Sequence, residues 1–184
     1  MTYRVGYIVG SLSQRSINRK LAKALTKIAP HDLELVEIPI GDLPLYNHDF
    51  DADYPEVAKQ LKQDIETSDA ILVVTPEYNR SIPGALKNAI DWASRPWGTN
   101  SFNGKPAAVI GASGGSISTA VAQQQLKSIL LFSNAAVLGQ PEAYIQFAEG
   151  LITDDGEVTN ETTAEFLALF LNAFATHIKR NLGS

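Results

Sequence analysis

Cysteine is absent from the 184 residues. Disulfides, thiolate nucleophiles and sulfur-ligated metals are therefore excluded together, and any redox chemistry must be carried by a bound cofactor. Histidine is scarce and scattered, at His31, His48 and His177, so no zinc set and no nucleophile–histidine pair is suggested. No apolar run reaches the roughly 18 residues a membrane span needs. The opening, Met1 to Arg4, runs into a short apolar stretch ending at Gly10. That is unlike the longer core of a signal peptide, and the expectation is a cytoplasmic chain. Basic residues are thin: 15 Lys and Arg against 20 Asp and Glu, a formal net charge of −5. An extended nucleic-acid footprint needs a clustered basic face, so nucleic acid is not an expected partner, although a few cations around one phosphate remain compatible. Neither G-x-G-x-x-G nor G-x-x-x-x-G-K-[ST] occurs, which removes the dinucleotide fingerprint and the nucleoside-triphosphate loop.

What remains is an ordinary globular composition, 45% hydrophobic and 19% charged, in a length that suits one domain over 1–184. Val5 to Val9 is a short buried strand. Ile17, Leu21, Ala24, Leu25 and Ile28 share one face of a helix. Leu33 to Ile38 alternates like an edge strand, and Pro39 to Tyr54 is a long connection. Val57, Leu61 and Ile65 mark a second helix. Ala70 to Val74 is a strand buried on both faces. Pro76 to Pro83 is a loop before a helix carrying Leu86, Ala89, Ile90 and Ala93. Ala107 to Gly111 is a fourth strand, followed by glycines and a helix reaching Ser133. Ala136 to Leu138 and Tyr144 to Phe147 give an interrupted fifth strand, and Thr163 to Arg180 the last helix.

Alternating strands and helices imply a parallel sheet with right-handed crossovers. Five strands favour an α/β three-layer sandwich of flavodoxin-like order 2-1-3-4-5. Its ligands bind outside the carboxyl ends of strands 1 and 3, where the chain reverses direction across the sheet.

Three loops lie at that end. The first, Gly10 to Asn18, offers Ser11, Ser13 and Ser16 as hydroxyl donors and Arg15 as a cation, with Ile17 and Asn18 opening the helix. Unpaired N–H groups there suit a phosphate, and Arg15 adds a charge-assisted pair. The plainer reading is that Ser13 or Ser16 caps the helix. The second, Thr75 to Gly84, is stiffened by Pro76 and Pro83. Within it Glu77, Tyr78, Asn79 and Arg80 suit the polar edge of a flat heterocycle, with Ser81 as a candidate N-cap. The third, Gly111 to Ser116, brings Ser113, Gly114 and Gly115, whose backbone amides can approach a ligand closely. Together the three loops outline one mononucleotide site.

Asn47 to Asp53 looks like a cation loop but fails the calcium template, with Tyr54 in the glycine position and Gln60 in the bidentate glutamate position. No metal is expected. Trp92 and Trp97 suggest packing or an interface. Ile129 to Phe132 is apolar around most of a helix, which fits burial against core or another chain.

Pro76-Glu77-Tyr78-Asn79, followed by Ser81 to Trp92, resembles the signature of the NADPH-dependent FMN reductase family, which includes bacterial quinone and chromate reductases. Gly10-Ser11-Leu12, Ser16 and Asn18 resemble its phosphate loop, and Gly111 to Gly115 its third flavin loop. The resemblance covers essentially the whole chain. It implies FMN as cofactor, NADPH or NADH as co-substrate, and hydride passing through flavin N5 to quinones, chromate, azo or nitro compounds, or free flavin. It implies a homodimer or homotetramer. By position, Ser11, Ser16 and Asn18 would hold the phosphate, Pro76 to Asn79 would line the ring, and Ser113 with Gly114 would close its other edge. One departure stands out: many members carry arginine where this chain has Ser13, and the nearest arginine here is Arg15. Two other functions fit the same fold. One is a flavodoxin-type electron carrier without NAD(P)H oxidation, and the other a non-catalytic mononucleotide-binding module.

Overall fold

The centre of the sheet is set by the strand that is apolar at every position. Ala70–Val74 (β3) is buried throughout, as a strand covered on both faces must be. In this computed structural model, which describes residues 2–183, Tyr3–Val9 (β1) pairs parallel to β3 with Val5 opposite Ala70. Leu33–Glu37 (β2) lies outside β1, with Tyr3 opposite Leu33. On the other flank Pro106–Ser113 (β4) sets Ala107 opposite Ile71. The fifth position is divided: Ala136–Val137 (β5) pairs the start of β4 and Ala143–Gln146 (β6) its end. The order is therefore β2-β1-β3-β4-β5, all parallel, with β6 also on β4. β4 runs two residues beyond the expected Gly111 because β6 supplies partners as far as Gln146 for Ser113.

Period-two alternation divides the core between two faces. Leu72 and Val74 join Leu21 and Leu25 of Ile17–Ile28 (α1) and Phe170 and Phe174 of Glu161–Leu182 (α5). Ile71 and Val73 face the other way. They pack with Leu61 of Glu56–Glu66 (α2), Leu86 and Trp92 of Gly84–Ser94 (α3), and Leu126 of Ala120–Phe132 (α4). Lys179 of α5 pairs with Asp32 at 2.7 Å, which ties that helix to the entry of β2 and holds the Asp32 carboxyl below its ordinary value.

The long connection after β2 is organised by Trp92, which is fully buried. The rings of Tyr46, Phe50 and Tyr54 surround it at centroid distances of 5.1, 5.5 and 4.9 Å. The indole N–H donates to the Pro44 carbonyl at 2.7 Å, and the Tyr54 hydroxyl donates to the Trp92 carbonyl at 2.9 Å. Asn88 adds two bonds, accepting from Tyr46 N–H and donating to Pro44 O, each 2.9 Å. Tyr46 and Phe50 are thus taken up by the chain's own α3. At the far end of α3, the Lys62 ammonium donates to the carbonyls of Ala93, Arg95 and Thr99. Burial there pushes its pKa down.

Candidate functional site

β1 is followed in sequence by β2 on one side and in space by β3 on the other, so their carboxyl ends leave a crevice between diverging connections. The strand-1 loop reaches this crevice built largely from local bonds. Ser13 N–H donates to Ser11 Oγ, Arg15 N–H to Ser13 Oγ, and Arg19 N–H to Ser16 Oγ, each at 3.3 Å. Ser16 is thus the helix cap, as one reading of the sequence had it. In all three cases the hydroxyl oxygen accepts, and among the described residues no protein acceptor takes the hydroxyl proton. Ser11 and Ser16 are buried while Ser13 and Arg15 are exposed. Ile17 and Asn18 begin α1, so their N–H groups lack intrahelical acceptors. A phosphate fits this donor set: three unused hydroxyl protons, helix-end amides and a neighbouring cation.

Arg15 lines a depression of about 410 Å³ together with Gln14, Arg19, Lys20 and Lys23. Arg19 is paired with Glu37 at 2.7 Å, Lys20 with Asp154 at 2.6 Å, and Lys23 donates to the Asp154 carbonyl at 2.8 Å. Among the described residues the Arg15 guanidinium has no such partner.

Asn18 acts differently from its neighbours. Its amide donates to Ala112 O and accepts from Ala112 N–H, both at 2.9 Å, in a fully buried setting. The side chain therefore joins the strand-1 loop to β4, immediately before Ser113. Two of the three loops are fixed to each other by this one residue.

In the second loop Tyr78 and Ser81 exchange both backbone hydrogen bonds at 2.9 Å, making a two-residue hairpin. Asn79 and Arg80 at its tip have φ of 51° and 63°, the left-handed geometry such tight hairpins require. Asparagine tolerates it, but arginine does so at a cost of roughly 1–2 kcal/mol. The compensation comes from α4. Gln125 donates to Arg80 O at 2.8 Å and accepts from Ser81 Oγ at 2.7 Å. Glu77, with only 7% of its side chain exposed, pairs with Arg80 at 2.9 Å and accepts from Ala122 N–H at 3.0 Å. Ser81 is consequently not the N-cap of α3, as its position had suggested; Pro83 precedes the first helical residue, Gly84, and no side chain caps that end.

The third loop begins later than expected, since Ser113 is still paired in β4. Its glycines have different causes. A Cβ on Gly111 would stand 2.1 Å from Thr75 O, so that glycine is required by the close approach of β3 and β4. Gly114 and Gly115 are exposed at the crevice mouth. Between the second and third loops lies a crevice of about 380 Å³, lined by Glu77, Asn79, Arg80, Ser113, Gly115 and Ser118 among others. A larger groove of about 1010 Å³ lies elsewhere, toward the carboxyl ends of α3 and α4, with Trp97 and Phe132 on its rim. None of the three loops lines it, and its size alone assigns it no chemistry.

Sequence reasoning missed Gln125 and the part Glu77 plays in capping α4. The available signal was Gln123-Gln124-Gln125, three consecutive polar residues in a helix that is mostly apolar. Each reaches a different neighbour: Gln123 donates to Ala143 O, Gln124 to Glu142 and Tyr144, and Gln125 holds the hairpin. Among the described residues no cluster of three or more His, Asp or Glu has metal-binding geometry, and no helix is long and apolar enough to cross a membrane.

The sequence model of the NADPH-dependent FMN reductase family matches residues 3–150. A 2-hydroxy-1,4-benzoquinone reductase from Burkholderia sp is 45% identical, the match covering 97% of this chain and 98% of the relative. A quinone reductase from Pseudomonas putida is 46% identical over 97% of this chain and 96% of its own. Among solved structures, FerB, a flavoenzyme NAD(P)H:(acceptor) oxidoreductase from Paracoccus denitrificans, superposes with a TM-score of 0.94 at 52% identity. That match covers 98% of this chain and 99% of FerB.

Proposed function

The chain belongs to the NADPH-dependent FMN reductase family, and we propose that it is an FMN-dependent NAD(P)H oxidoreductase whose acceptors are quinones. The observation that carries this reading is the convergence of three loops at the switch point, two of them fixed to each other by the Asn18–Ala112 bonds. Names of full-length relatives support the quinone class. Chromate, azo and nitro compounds and free flavin are further acceptors of the same electron-accepting chemistry.

When bound, FMN supplies the hydride chemistry at N5, and the protein supplies position, electrostatics and access. Ser11, Ser13 and Ser16 donate their hydroxyl protons to the phosphate, helped by the N–H groups of Ile17 and Asn18. Arg15 approaches from the exposed side and balances charge. Pro76, Glu77, Tyr78 and Asn79 border the ring along one edge, and Ser113, Gly114 and Gly115 along the other. Arg80, 66% exposed at its side chain, contacts the phosphates of the incoming NADPH or NADH.

The chain works as one domain, in the cytoplasm, and assembles as a homodimer or homotetramer. Trp97 and Phe132 are exposed on the rim of the large groove, apolar surface of the kind a second copy covers.

The purified protein should be yellow. Its flavin band should bleach under argon on adding NADPH or NADH and return with benzoquinone. A yellow protein that does not bleach is an electron carrier, and one that stays colourless with added FMN is a binding module of another kind. Arg80→Ala should raise KM for the dinucleotide while FMN content holds; an unchanged KM removes Arg80 from dinucleotide binding.

A further inference from the structure

Glu77 is the carboxylate most enclosed within the crevice that the proposed function assigns to the flavin ring. A carboxylate there works against the cofactor's own chemistry, because two-electron reduction places negative charge on the ring. The structure nevertheless builds Glu77 in. Its Oε2 accepts from Ala122 N–H at the start of α4, its Oε1 pairs with Arg80, and 7% of the side chain is exposed. A helix N-terminus favours an anion, so the carboxylate is anchored by backbone as well as by the cation. Arg80 in turn is held in a left-handed conformation unfavourable to it. Gln125 fixes the hairpin that carries it. The left-handed pair at the hairpin tip is thus kept in place from α4. Neither residue belongs to the phosphate-holding loop, and a neutral amide at position 77 would satisfy the Ala122 N–H as well as the carboxylate does.

We infer that Glu77 and Arg80 form a redox-tuning pair of opposite sign, placed by the Asn79–Arg80 hairpin and by Gln125 against the flavin ring. The Glu77 charge raises the energy of the reduced, anionic flavin and makes it a stronger reductant. The Arg80 charge lowers that energy and keeps reduction by NAD(P)H favourable. Net charge at the ring edge is near zero, and the balance is set by which member lies closer. The inference rests on the ring occupying this crevice.

The test compares four FMN-loaded proteins: the unaltered chain, Glu77→Gln, Arg80→Gln and the double variant. Glu77→Gln keeps an oxygen for Ala122 N–H while removing the charge. The readouts are the two-electron midpoint potential and the Kd for oxidised FMN. Glu77→Gln should raise the potential and Arg80→Gln should lower it, each by about a tenfold change in the preference for reduced over oxidised flavin. For a two-electron couple that is about 30 mV. The double variant should return close to the unaltered value. A purely structural pair would weaken FMN binding in both single variants and shift the potential in one common direction, which overturns the inference. Unshifted potentials with normal FMN binding also overturn it. Should Glu77→Gln fail to retain FMN, Glu77→Asp keeps the sign of the charge, and its unshifted potential beside the lowered value of Arg80→Gln supports the pair. A distinct result, in which Ser11→Ala and Ser16→Ala leave FMN binding untouched, would show that the cofactor lies elsewhere and that the underlying site reading fails first.

Discussion

The strand-1 loop and the strand-3 loop follow the carboxyl ends of neighbouring strands but are held by different means. Bonds within the first span two or three residues: Ser11 to Ser13, Ser13 to Arg15, Ser16 to Arg19. The second depends on α4, reached across 44 and 45 positions by Ser81–Gln125, Glu77–Ala122 and Arg80–Gln125. A locally bonded loop keeps its shape wherever its helix goes. A loop held from another element reports that element's position: the strand-3 loop follows α4, whereas the strand-1 loop keeps its own shape and is tied to β4 at one residue, Asn18.

The largest expected effect comes from the residue that crosses between regions. Asn18→Ala leaves the Ala112 N–H and carbonyl unpaired in the interior, at a cost of about 3 kcal/mol. Denaturant unfolding should show that loss together with weaker FMN binding, and a stability change below 1 kcal/mol would make the link between loops dispensable. Ser16→Ala removes the cap of α1, about 1 kcal/mol, and one of the hydroxyls proposed to hold the phosphate. Titration should show roughly tenfold weaker FMN binding with KM for the dinucleotide unchanged. Gln125→Leu should do the reverse, raising that KM with stability lowered by about 1 kcal/mol and FMN content retained. If Gln125→Leu weakens FMN as much as Ser16→Ala does, the two loops are one mechanical unit and the contrast collapses.

The smallest effect lies outside both loops. Asp32 has its carboxyl held low, chiefly by the hydrogen bond from Lys179 and the charge beside it. A carboxyl lowered on folding stabilises above its unfolded value of 3.8 and loses that contribution as pH falls through the folded value. Asp32→Asn should therefore flatten the acid limb of Tm against pH below about pH 4, with both loops unaffected. An acid limb identical to that of the parent chain would show that the Lys179 contact adds no stability.

Legibility in the sequence followed the same division. β3 was readable because five consecutive apolar residues need no context, and Ser16 because a cap lies within a turn of what it caps. The interrupted fifth strand was visible as two short apolar pieces. The end of β4 was not, since only the arrival of β6 extends it to Ser113. Ser81 resembled an N-cap by position, yet its hydroxyl goes to Gln125, a partner that no local window contains. Asn18 was recognised as part of the loop, but its use as a brace on Ala112 depends on a strand 94 residues away. Gly111 looked like a ligand-facing glycine because the Thr75 carbonyl that demands it belongs to another strand.

The two tryptophans turn this architecture into a spectrometer. Trp92 is sealed among Tyr46, Phe50 and Tyr54, while Trp97 is 78% exposed beneath the Arg95 guanidinium. Fluorescence from Trp92 should be blue, sheltered from acrylamide and sensitive to the packing of the 39–54 connection around it. Emission from Trp97 should be red and readily quenched. Replacing each indole in turn by phenylalanine would assign the two signals, one to the interior beneath the 39–54 connection and one to the exposed rim of the groove.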